Sequence, residues 1–212
     1  KSKDKFGYVF TTDAVLSSSV GKTPLVQLEK VVPRGHGTVW LKMESNNPTG
    51  SYKDRMAVAV LGRALQRGDI KPGSKVVEYT GGSTGTSLAF VAARLGLRFV
   101  AVSSDAFSEE KLRSMRAYGA EVIVEKSDKG TITPELIARM KDRAHELASE
   151  KDCFYTDQFG SPDVLAGYEP MGAEIADQTG GAIDAICAGV GTGGALMGAA
   201  IGLQNKGVQL DV

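Results

Sequence analysis

One pattern narrows the fold more than any other. From residue 38 to about residue 150, short apolar runs alternate with helical stretches, and glycines sit at most of the joins. The apolar runs fall at residues 38–43, 75–79, 98–102 and 121–124. After the first, Ala57, Val60, Leu61, Ala64 and Leu65 recur at spacings of three and four, which predicts a helix over residues 51–67 with Gly68 just past its end. A second helix carries Leu88, Val91, Ala92 and Leu95 and is closed by Gly96. A third has Ser108 as its cap, Glu109 and Glu110 in its first turn, and Leu112 and Met115 facing inward. Thr133-Pro134 is a cap followed by an N1 proline, and the helix it starts places Leu136, Ile137, Met140, Ala144, Leu147 and Ala148 on one face before ending near residue 150. Strand and helix in alternation predict a mostly parallel sheet covered on both faces, an α/β unit spanning about residues 46–150.

Outside that unit the signals are sparser. Residues 1–19 read as an extended arm anchored by Phe6, Tyr8, Val9 and Phe10. After residues 154–156 comes a turn-rich segment, 157–162, then a helix over about 172–178 and a strand over 182–188. A glycine loop next opens a small-faced helix with Ala195, Leu196, Ala199, Ala200 and Leu203, and residues 209–212 read as the start of a further strand.

Three stretches carry chemistry. Asn47-Pro48-Thr49-Gly50-Ser51-Tyr52-Lys53-Asp54-Arg55 joins the first strand to the first helix, with Ser51 as the cap. Lys53 falls in the first helical turn, where unpaired N–H groups favour negative charge, so a lysine there has reason to lose its proton and form a Schiff base with an aldehyde. A surface lysine paired with Asp54 or another carboxylate is the competing reading. Thr80-Gly81-Gly82-Ser83-Thr84-Gly85 lies between a strand and a helix, where glycines let the backbone approach a ligand and N–H groups can hold an anion. It is no Walker A loop, since no lysine follows the last glycine; a capped glycine turn is the plainer alternative. Gly189-Val190-Gly191-Thr192-Gly193-Gly194 repeats that physics with a spacing suited to a phosphate. A dinucleotide fingerprint competes there, but no acidic residue ends the next strand.

Composition removes several classes. Lys plus Arg and Asp plus Glu each number 25, so the net charge is zero and no nucleic-acid partner is expected. No apolar run reaches membrane length and no signal-peptide pattern opens the chain. Cys153 and Cys187 read as buried free thiols and His36 and His145 are the only histidines, so no metal site and a cytoplasmic location are expected.

In order along the chain, these motifs resemble those of the cysteine synthase and cystathionine beta-synthase family, the fold type II pyridoxal-phosphate enzymes. The 47–55 stretch resembles that family's cofactor-lysine segment, Val20-Gly21-Lys22-Thr23-Pro24-Leu25-Val26 its N-terminal motif, the Thr80 loop its substrate-carboxylate loop and the Gly189 loop its phosphate loop. The resemblance implies two three-layer α/β/α domains of the tryptophan synthase beta-like kind. Residues 1–45 would be an arm and the first part of the larger domain, 46–150 the smaller domain, and 151–212 the larger cofactor-binding domain, with its C-terminal part missing from this chain.

It implies pyridoxal 5'-phosphate held by Lys53, which also shuttles a proton at the substrate's alpha carbon. Gly191, Thr192, Gly193, Gly194 and Ala195 would surround the phosphate, and Thr80, Gly81, Ser83, Thr84 and Gln158 the substrate carboxylate. Ser83 would also face the cofactor's ring hydroxyl. Gly81 and Ser83 stand where the synthases carry serine and asparagine, and Ala195 where they carry threonine. Phe107 lies where they commonly have a methionine. The implied reaction is β-replacement on serine or O-acetylserine-like amino acids: β-elimination to an aminoacrylate, then addition of sulfide or another nucleophile. A β-eliminating lyase or deaminase, a catalytically silent relative and a nucleotide-binding protein without the cofactor are the alternatives. A small amino-acid substrate and a homodimer are the expected partners.

Overall fold

The computed structural model describes residues 19–210. The arm anchors Phe6, Tyr8, Val9 and Phe10, and Asp211-Val212 of the expected last strand, lie outside the described residues. The architecture is α/β, and the chain divides into two compact units. Among the described residues, one takes the chain up to Arg55 together with that from Leu165 onward; the other is the continuous segment between them, from Met56 to Val164.

The continuous unit holds the alternating pattern. Its strands are β3 (Lys75–Tyr79), β4 (Arg98–Ser104), β5 (Glu121–Glu125) and β6 (Cys153–Tyr155), forming one parallel sheet in the order β5-β4-β3-β6. Val77 is in register with Val100 on one side and Tyr155 on the other. The helices are most of α1 (Lys53–Arg67), then α2 (Ser83–Leu95), α3 (Glu109–Ala117) and α4 (Pro134–Ala148). Leu136, Met140, Ala144 and Leu147 of α4 form a buried cluster with Val77, Val100 and Val102 on one face of the sheet. Strand residues pointing the other way, Val76, Phe99 and Ala101, are buried too, so both faces are covered. Burying β-branched side chains on both faces removes apolar area at roughly 25 cal/mol per Å², the main force holding such a sheet.

The strand order has a functional corollary. The chain proceeds from β3 outward through β4 to β5, then returns to place β6 on the other side of β3. The β3/β6 pair is therefore a topological switch point, where loops leaving the C-terminal strand ends diverge and open a crevice.

In the other unit, β1 (Leu25–Gln27) pairs antiparallel with β2 (Trp40–Lys42), followed by the single turn of 3-10 helix Glu44–Asn46 and the start of α1. Most of α5 (Pro162–Thr179) and all of α6 (Gly194–Asn205) complete it. These helices touch backbone to backbone. A Cβ at Gly172 would lie 2.0 Å from Ala199 O, and one at Gly202 would lie 2.0 Å from Glu169 O.

Several expectations need correction. The helix expected over 172–178 begins ten residues earlier, at Pro162, because Pro162 and Pro170 lie within a helix rather than ending one. Residues 182–188 form no strand, because no described segment supplies them with a ladder partner. Cys187, in that segment, is exposed rather than buried, and Cys153 is only half-buried. Ser108 holds the cap position of α3 without a side-chain cap bond, whereas Thr133 accepts from Leu136 N–H as expected.

Candidate active site

The 47–55 stretch is a turn locked from several sides. Gly50 N–H donates to Asn47 O at 2.8 Å, and Gly50 takes φ 76°, a left-handed conformation natural to glycine. Buried Asp54 accepts from Thr49 N–H at 2.8 Å and from Thr49 Oγ1 at 2.6 Å, pulling the turn onto the helix it precedes. Ser51 Oγ accepts from Lys53 N–H at 3.1 Å. Lys53 is thus the first residue of α1, half-buried, with Nζ 5.2 Å from the centre of the Tyr52 ring.

The stretch is anchored by charges that sequence reasoning passed over. Arg55 donates to Glu44 through Nε at 2.7 Å and Nη2 at 2.8 Å, and to Glu174 through Nη1 and Nη2, both at 2.8 Å. Lys42 Nζ reaches Glu174 Oε2 at 2.8 Å and Thr23 O at 2.7 Å. Asn47 joins Gly21 N–H, at 2.8 Å, to Glu44. Burial works against ionising Glu174, but Arg55, Lys42 and the Lys22 N–H outweigh it and hold its carboxyl down at about 2. Burial likewise opposes the charge on Arg55, which its two carboxylates more than restore. Two cations facing two carboxylates satisfy one another, as buried charge requires.

The glycine loop in the same unit leads into α6. Gly193 takes φ 79°, and Met197 N–H is the first to donate back along the helix, to Gly193 O at 3.1 Å. The N–H groups of Gly194, Ala195 and Leu196 therefore precede the helical ladder, as at any helix start. A Cβ built on Gly189, Gly191 or Gly193 would meet nothing within 4 Å, so the loop is open on its outer side. Helix α6, which the loop opens, packs closely on α5: a Cβ on Gly198 would touch Tyr168 Cβ at 2.6 Å, and the Tyr168 ring lies 5.9 Å from that of Tyr52.

The third stretch sits at the switch point of the continuous unit. Thr80 to Gly82 leave β3, and Ser83 and Thr84 open α2. Thr80 Oγ1 accepts from Gly85 N–H at 3.1 Å and Gly82 N–H at 3.3 Å, which shapes the loop and leaves the Ser83 and Thr84 N–H groups at the helix start. Gln158 comes from the other side of the switch, beyond β6. Its Oε1 accepts from Thr84 Oγ1 at 2.8 Å and its Nε2 donates to Tyr79 O at 3.0 Å. Buried Glu78 holds this arrangement by accepting from Thr156 Oγ1 at 2.6 Å, Gln158 N–H at 3.0 Å and Tyr79 N–H at 3.0 Å. Burial pushes its carboxyl up to about 7 despite those bonds. Thr80, Gly81, Ser83, Thr84 and Gln158 are thereby brought to one place; Lys53 and residues 191–195 belong to the other unit.

The family model described as pyridoxal-phosphate dependent enzyme matches residues 16–212. The chain belongs to that family. It is cysteine synthase-like and of fold type II. It is 40% identical over 186 residues to cysteine synthase B of Escherichia coli, covering 87% of this chain and 59% of that protein. Cysteine synthase of Staphylococcus aureus is 39% identical, with 86% of this chain and 58% of the relative covered. Among solved structures, O-ureido-L-serine synthase superposes with a TM-score of 0.79 at 36% identity over 92% of this chain and 61% of that one. A hydrogen sulfide-producing enzyme of Fusobacterium nucleatum gives 0.81 at 29% identity over 90% and 61%. The chain spans about three fifths of the length of the curated relatives it matches.

The residues present fit the cofactor this family is named for. A half-buried amine at Lys53 suits an aldehyde, and an open glycine loop at a helix start suits a phosphate. Tyr168 Oη, beside Tyr52, is buried with no hydrogen-bond partner among the described residues. The dinucleotide alternative is set aside by the family, and no strand precedes its motif among the described residues.

Proposed function

We propose that this protein carries out pyridoxal-phosphate-dependent β-replacement on serine or O-acetylserine-like amino acids, a reading supported by its likeness to relatives named cysteine synthase. The observation that carries the proposal is the placement of the Thr80–Thr84 loop and Gln158 at the two strand ends of one switch point. When bound, the cofactor supplies an electron sink for bond breaking at the substrate's alpha carbon.

The chain's residues do the rest. Lys53 would hold the cofactor through Nζ and would move the proton at the substrate's alpha carbon. The N–H groups of residues 191–195 and the Thr192 hydroxyl take the phosphate. The N–H groups of Gly81, Ser83 and Thr84 and the hydroxyls of Thr80 and Ser83 would bind the amino acid's carboxylate, Gln158 fixes that loop through Thr84 Oγ1, and Ser83 would also serve the cofactor's ring hydroxyl. The middle of the chain, residues 46–150, would then be a smaller three-layer domain, and residues 1–45 and 151–212 would belong to a larger cofactor domain. Two copies pair as a dimer in the cytoplasm; among the described residues no helix is long and apolar enough to cross a membrane. A β-eliminating lyase is the second reading, favoured by the likeness to the hydrogen sulfide-producing enzyme.

The test is the visible spectrum of the purified protein with pyridoxal phosphate, with and without O-acetyl-L-serine. A cofactor band present in the protein, absent in Lys53→Ala and altered by substrate is the expected outcome. No band in the unaltered protein overturns the proposal, and pyruvate release without need of sulfide favours the lyase.

A further inference from the structure

Position 81 is occupied by an aromatic ring from elsewhere in the chain. A Cβ built on Gly81 would lie 2.2 Å from Phe107 Cε1, 2.4 Å from Cδ1 and 2.6 Å from Cζ, all inside any real contact. Phe107 follows the end of β4, and Gly81 follows the end of β3, its neighbour in the sheet. The ring is not free to swing away without loss, because it also packs, with Tyr79, against the Val77–Val102–Leu136 cluster. Any side chain at position 81 thus requires a smaller group at position 107, and Phe107 requires glycine at position 81.

We propose that Gly81 and Phe107 form a matched pair that sets specificity, the ring placing an apolar wall beside the carboxylate loop. The ligand class this favours is an amino acid bearing hydrocarbon surface on its β-substituent, in preference to a compact polar one. The proposal deepens the reading above and rests on it for the role of the Thr80–Thr84 loop.

The pair is tested by calorimetric binding of S-phenyl-L-cysteine and L-cysteine to the protein, with and without pyridoxal phosphate. Unaltered protein, Phe107→Ala, Gly81→Ser and the double variant are compared, with melting temperatures confirming that each is folded. The unaltered protein is expected to bind the phenyl amino acid more tightly. Phe107→Ala lowers that preference by about tenfold or more, the scale of discrimination in apolar pockets. Gly81→Ser alone weakens both ligands, and adding Phe107→Ala restores L-cysteine. An unchanged preference in folded Phe107→Ala, or L-cysteine binding by Gly81→Ser equal to that of the unaltered protein, overturns the proposal. The cofactor spectrum fails independently: a protein without the visible band but with the Phe107-dependent preference would sink the reaction assignment and keep the pair.

Discussion

Glu78 illustrates what a single residue can hide. It lies inside an apolar strand and looks out of place there, yet it accepts three hydrogen bonds and ties the Gln158 backbone to β3. Burial raises its carboxyl from the usual carboxylate value to about 7. The folded state therefore holds this proton over a range where the unfolded chain has released it. Its contribution to stability is complete below about pH 4.5, falls as pH rises, and is gone above about 7. Denaturant midpoints measured across that window should decline in the unaltered protein and flatten in Glu78→Gln. Lys53 was legible in the sequence because its neighbours announce a strand-to-helix turn. Glu174, 119 residues from the arginine it pairs with, was not, since no local pattern encodes a partner so distant. The Gly81–Phe107 contact escaped for the same reason.

Elements were legible where periodicity is local. Strand β3 falls at the expected residues, and α1, α2 and α4 follow their apolar stripes, because a two-residue or 3.6-residue rhythm needs no partner to be seen. Helix α5 was read short because Pro162 and Pro170 are ordinarily breakers; the first sits where a missing N–H costs nothing, at the helix start. Residues 182–188 show the converse, a strand-like run without a described neighbour to pair with. The small face of α6 has a direct energetic meaning, since its glycines admit the backbone of α5. Gly202→Ala would place a methyl against Glu169 O, with Ala173 N also close. A loss of roughly 1–3 kcal/mol is expected from such overpacking, read as a lower urea midpoint. A loss no greater than that of Gly62→Ala, where nothing lies within 4 Å, would count against the tight packing.

For the whole molecule, acid stability depends on the unit built from separate parts of the chain. Glu174 holds its charge to about pH 2 because Arg55, Lys42 and the Lys22 N–H overcome the cost of burial. Its stabilising contribution is present above about pH 4.5 and is lost as pH falls towards 2, opposite in sign to that of Glu78. Glu174→Gln should unfold at a higher pH than the unaltered protein in an acid titration followed by circular dichroism; coincident curves would deny the cluster this role. The same ion cluster also dictates an order of events during synthesis. Residues 56–164 are contiguous, whereas Arg55 emerges long before the carboxylate 119 residues downstream exists. At about 5–20 residues per second, that arginine waits on the order of ten seconds at the ribosome for its second partner. The turn beside Arg55 can close early through its own Thr49–Asp54 and Gly50–Asn47 bonds, but its clamp to the rest of the unit forms only after the nascent chain has delivered the segment containing Glu174.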